Sequence, residues 1–153
     1  MSERDSKRNR VPLGVFIDGL DGARARAATI EDASTWEAFH AVFEALAWVG
    51  AIRDRLGRHE TTLRTLNGLY YVRNLVLHEG AEVLAWEPTT YGTGTYGSGR
   101  YGGTRVWKWP SRDELPSRRR DVAVDADYDE HVAGREVPVV LAAVVEELRR
   151  LPS

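Results

Sequence analysis

The stretch GLYYVRNLVLHEG, residues 68–80, reads as a helix of two characters. Leu69, Tyr70, Val72, Leu75, Val76 and Leu77 give it apolar surface around most of its circumference, and Arg73, Asn74 and His78 interrupt that surface. At 3.6 residues per turn, Asn67, Tyr71, Asn74 and His78 fall within a wedge of roughly 60 degrees, so the polar residues form one stripe. Arg73 belongs instead with Leu66, Leu69, Tyr70, Val76 and Leu77, at an edge of the apolar side. From there its stem can run along packed surface and deliver the guanidinium elsewhere. A helix this apolar needs cover on more than one side. That makes it the centre of a small bundle and turns its polar stripe toward a cleft, most simply one shared with a second copy of the chain. The plainer alternative is a solvated stripe with Arg73 paired to Glu44 or Glu79.

The neighbouring segments agree with a bundle. Thr61 or Thr62 suits the N-cap of this central helix, and its apolar side continues through Leu84 toward Trp86. Upstream, STWEAFHAVFEALAWVGAIRDRLG, residues 34–57, opens on Ser34 and Glu37 at capping-box spacing. It repeats Trp36, Phe39, Phe43, Leu46 and Gly50 at helical intervals and stops at Gly57, which predicts a helix over about 35–56. A link this short predicts two antiparallel helices. The last helix starts at EVPVV, residues 136–140, with Pro138 in its first turn. Its buried stripe is Val140, Leu141, Val144, Val145, Leu148 and Leu151, and Pro152 ends it. The expected fold is therefore all-α, an antiparallel helical bundle over residues 34–153. Residues 1–33 read as a partly flexible lead-in: a basic tail, an apolar run at 15–17, the turn-rich DGLDG, and ARARAATI, enough for a turn or two of helix.

Before the last helix the pattern breaks, over about residues 87–125. YGTGTYGSGRYGG, residues 91–103, brings back a tyrosine every fifth residue in a glycine background that cannot form a helix, which predicts a Gly/Tyr-rich loop or hairpin insertion. In TRVWKWP, residues 104–110, Val106, Trp107 and Trp109 suit a short strand paired near Trp86. Two roles stay open for the insertion: a surface loop closed over the bundle by its tryptophans, and a tyrosine surface for stacking bases.

The 153-residue chain is 42% hydrophobic and 29% charged, which suits one globular domain. It has no cysteine, which removes disulfides and thiolate metal sites, and His40, His59, His78 and His131 lack close metal-ligand spacing. A formal net charge of −2 excludes a polyanion binder acting through its overall field, leaving local patches such as SRRRD, residues 117–121. Arg118, Arg119 and Arg120 there form either a weak RNA-attracting cluster or a solvated turn. DADYDEHVAGRE, residues 125–136, has carboxylates at several calcium-loop positions, but Glu130 stands where the loop's sharp turn needs glycine, so a solvated acidic loop is preferred. GTGTYGSG lacks the Gly-Lys-Ser/Thr and following helix of a P-loop. The charged start MSERDSKRNRVP is unlike a signal peptide, and no apolar run approaches the roughly 18–20 residues needed to span a bilayer. A cytoplasmic protein without membrane contact or cofactor is expected.

Arg73-Asn74 followed by His78 near the end of a long helix resembles the signature of the HEPN superfamily (higher eukaryotes and prokaryotes nucleotide-binding). The resemblance covers mainly residues 34–85 and 136–151, and the segments WKWPSRDELP and GREVPVVLAAVVEEL look like those of bacterial HEPN-like proteins. Arg followed a few residues later by His is uninformative alone, since Arg53 and His59 match it too; the Asn directly after Arg73 carries the specificity. The resemblance implies an all-α bundle that dimerises and acts as a metal-independent endoribonuclease, in some cases a toxin held by an antitoxin or other protein partner. It implies that His78 serves as general acid or base near the ribose 2'-OH, that Arg73 holds the scissile phosphate, and that Asn74 orients them. Histidine suits proton transfer near neutral pH and a planar guanidinium suits phosphate, so the residue types match the chemistry. Tyr71, on the same stripe, is a weaker candidate for RNA contact. Two other functions remain open: a catalytically silent HEPN-like binding or scaffold protein, and a structural component assembled through the Tyr/Gly insertion.

Overall fold

One face of the last helix is buried in the interior, while Val139 on its other side is 55% exposed and Leu151, expected in the buried stripe, lies past the helix end and is half-buried. The computed structural model describes residues 11–31, 36–57, 62–80, 107–115 and 122–152, with backbone alone for 122–125. The described residues are all-helical: α1 (Leu13–Ala28), α2 (Trp36–Leu56), α3 (Arg64–Glu79), α4 (Val122–His131) and α5 (Val137–Arg149), with one 3-10 turn at Arg112–Glu114. α5 begins with Pro138 in its first turn, as expected, and buries Val140, Leu141, Val144, Val145 and Leu148. It packs against α1 and α3, while α2 lies against α1 and α3, and α4 against α3. Among the described residues, no helix is long and apolar enough to cross a membrane.

Residues 13–28 form a core helix where only a turn or two had been expected. Leu20, Ala23 and Ala27 are fully buried, at spacings of three and four that hold one face of α1 against its neighbours. Gly19 had suggested a turn, but its role is steric. A Cβ there would lie 2.5 Å from the Trp48 indole of α2, and only glycine admits that ring. Phe16 meets the same indole edge-on, with centroids 6.1 Å apart. Ion pairs finish the attachment: Arg26 with Glu44 on α2, and Arg149 of α5 with Asp21 at 2.8 Å.

α3 starts without the threonine cap expected for it. Leu63 occupies the N-cap position, and the free amides of the first turn are satisfied from α5: Thr65 N donates to Glu147 Oε1 at 3.2 Å and Leu66 N to Glu147 Oε2 at 3.0 Å. α3 ends at Glu79, short of the expected run to Trp86, on Gly80 at φ 102°. Ser34, the expected cap of α2, lies outside the described residues.

The acidic stretch expected as a loop is the second half of α4 and the turn after it. Asp127 faces inward to α3, accepting from Asn67 Nδ2 at 3.3 Å and lying 3.6 Å from Arg64. Tyr128 is fully buried, and its hydroxyl donates to the Pro110 carbonyl at 2.6 Å. Among the described residues, the tryptophan segment makes a single antiparallel bridge, Lys108 with Glu136; the strand pairing expected near Trp86 falls on residues outside the described ones. Trp109 N donates to Arg135 O at 2.9 Å and Val137 N to Trp107 O at 2.8 Å, so the segment straps the junction of α4 and α5 with both indoles buried. The Tyr/Gly stretch at 91–103 and Trp86 lie outside the described residues.

Candidate functional site

α3 comes back alongside α2 so that Arg73 crosses Gly50. The absence of a side chain at Gly50 lets the guanidinium lie down against α2. Arg73 Cζ stands 5.5 Å from the centroid of the Tyr70 ring, a cation–π contact. Arg73 Nη1 donates to Asn74 Oδ1 at 3.1 Å. A floor, a ring and an acceptor thus fix one planar cation at a half-buried position. Glu44, one of the acids expected to pair with Arg73, is engaged by Arg26 and by Trp48, whose Nε1 donates to it at 3.5 Å.

His78 is exposed in the last turn of α3. Five residues separate it from Arg73, which on a helix is a divergence of about 140 degrees, so the two side chains leave α3 on different sides. Of the proposed catalytic trio, the structure joins Arg73 to Asn74 by a hydrogen bond.

The polar stripe is divided between two environments. Its N-terminal part lies under α4: Asn67 is 8% exposed, and the Tyr71 ring packs 5.2 Å from that of Tyr128, tilted by 45°. Burial pushes the Tyr128 phenol far above the ordinary tyrosine range, with Tyr71 adding to the effect, so it stays protonated and remains a donor to Pro110. Tyr71 is therefore in large part a packing residue. The C-terminal part of the stripe, Asn74 and His78, passes to the surface. Arg118, Arg119 and Arg120 lie outside the described residues.

Two features escaped the sequence reading. The first is Gly50, which the apolar repeat of α2 does not single out, although a glycine inside a helix facing a neighbour that carries arginine signals close approach. The second is the outer face of α2, where Trp36 is 74% and Phe43 44% exposed, with Phe39 between them stacked on Phe43 at 5.9 Å. Phe43 and Gly50 are seven residues apart, two helical turns, so this aromatic face and Arg73 lie on the same side of the α2–α3 pair. Leu77, 58% exposed, extends the surface on α3.

Among the described residues, no three His, Cys, Asp or Glu side chains gather as metal ligands would. Comparison of the chain with protein-family models, with curated proteins and with solved structures finds no match.

Proposed function

We propose that the protein is a dimeric, HEPN-like, metal-independent endoribonuclease in which Arg73, Asn74 and His78 form the reactive centre. The observation that carries this reading is the guanidinium held by Tyr70 and Asn74 at a half-buried position, prepared to receive a phosphate oxygen. In the reaction, the ribose 2'-oxygen attacks the adjacent phosphorus and the bond to the 5'-oxygen of the next nucleotide breaks. The 2'-OH proton passes to a base, the leaving 5'-oxygen takes one up, and a 2',3'-cyclic phosphate remains. His78 carries one of these protons and Arg73 neutralises the charge growing on the phosphoryl oxygens.

The divergence of Arg73 and His78 on one helix calls for a second copy to complete the centre. The exposed aromatic face of α2, on the same side as Arg73, supplies a surface that a two-fold partner would cover. If the copies leave the two His78 apart, the second reading holds: a silent HEPN-like binding or scaffold protein in which Arg73 and His78 serve an interface.

Purified protein is expected to cleave single-stranded RNA in EDTA, to leave 2',3'-cyclic ends and to spare DNA. His78→Ala abolishes cleavage with fold and dimer intact, Arg73→Ala reduces it severely, and Asn74→Ala reduces it less. Cleavage that survives His78→Ala excludes the mechanism, and a monomer at high concentration in light scattering excludes the shared centre.

A further inference from the structure

We propose that Gly50, on α2, is a positioning residue for Arg73: it provides the Cβ-free seat on which the guanidinium is held in register with Asn74 and Tyr70. The importance of that register for cleavage rests on the ribonuclease reading above; the seat itself does not. A Cβ at position 50 would come 2.6 Å from Arg73 Nε and 3.1 Å from both Cζ and Nη2. All three atoms belong to the charged end of a flexible side chain, so the guanidinium gives way before either helix does. Moving it disrupts the 3.1 Å bond from Nη1 to Asn74 Oδ1 and the 5.5 Å stacking on Tyr70. Gly50 is itself buried, and alanine is the better helix former, so Gly50→Ala moves the cation while leaving α2 formed. This sets it apart from Gly68, where a Cβ would meet the backbone of α4 at 3.1 Å and 3.2 Å and no side chain can simply step aside.

The test reads the position of Arg73 directly. In proton–nitrogen NMR spectra of the intact protein, the Arg73 Nε–Hε signal is assigned by its loss in Arg73→Lys. Gly50→Ala is expected to shift that signal as it leaves the Tyr70 ring current, with the thermal midpoint unchanged or raised. On single-stranded RNA the same variant is expected to lose about tenfold to a hundredfold in kcat/KM, the scale of a misplacement of about 1 Å. Adding Gly50→Ala to Arg73→Ala is expected to cost nothing further, because the seat acts only through the side chain it holds. An unmoved Hε signal in Gly50→Ala overturns the proposal. A lowered midpoint with amide shifts spread through α2 and α3 also overturns it, since Gly50 would then be a packing residue. A shifted Hε signal in a protein that cleaves no RNA supports the seat and defeats the ribonuclease reading, so the two failures are distinct.

Discussion

Gly68 is where α3 and α4 come close enough for backbone to meet side chain. A Cβ there would lie 2.7 Å from Val132 Cγ2, 3.1 Å from the Asp127 carbonyl oxygen and 3.2 Å from Tyr128 Cα. With backbone on the other side of the contact, the helices must part to admit a methyl group. Overpacking of this kind costs about 1–3 kcal/mol, and the better helix propensity of alanine returns up to about 1 kcal/mol. Gly68→Ala is therefore expected to lose about 1–2 kcal/mol in urea denaturation. A midpoint at or above that of the unaltered protein would show that the crossing has slack. Glycines 19, 50 and 68 are alike on the page, yet each answers to a different neighbour: an indole, a guanidinium and a helix backbone. No local pattern distinguishes them, because the reason for each lies on another helix.

α3 illustrates how an element depends on a distant one. Its apolar spacing predicts the helix, but its first turn is closed by Glu147, 82 residues along the chain from Thr65. Replacing a capping acceptor typically costs about 1 kcal/mol. Glu147→Ala should accordingly destabilise the protein by about that amount and speed hydrogen exchange at the Thr65 and Leu66 amides first. Unchanged exchange at those two amides would show that another group, or water, closes the turn equally well. The threonines at 61 and 62 were reasonable cap candidates by residue type, and the pairing with α5 became visible only once the helices were assembled.

Across the whole molecule, α1 is held by buried apolar contacts and by two carboxylates with arginine partners. The Arg24 hydrogen bond holds the Asp21 carboxyl below the ordinary range against an opposing effect of burial, with Arg149 helping; the Arg26 hydrogen bond does the same for Glu44, with Trp48 assisting. A carboxylate with a lowered folded-state pKa binds protons more readily in the unfolded chain, so its stabilisation is complete above the unfolded value, about pH 4, and is lost as pH falls through the folded value. Stability should therefore fall below about pH 4, and Asp21→Asn should flatten part of that fall while lowering stability at pH 7. Asp21, with a side chain 24% exposed against 41% for Glu44, is the less screened and the better test. Urea midpoints that run parallel with pH for the variant and the unaltered protein would show that Asp21 contributes nothing to the acid limb.

The all-helical class, the extent of α2 and the buried stripe of α5 were legible along the chain, because helical periodicity is a local property that survives any arrangement of the helices. The candidate trio Arg73, Asn74 and His78 was legible as residue types on one helix, together with the angle at which Arg73 and His78 part. What that chain could not reveal depends on surfaces meeting. DGLDG became the middle of a core helix because Trp48 covers Gly19, and the acidic stretch became helix because Tyr128 and Asp127 find partners on Pro110 and Asn67. Arg73 was given its bearing by a glycine on the neighbouring helix. A Cβ-free position has no preference of its own, so its purpose is set by whatever the assembled fold brings against it.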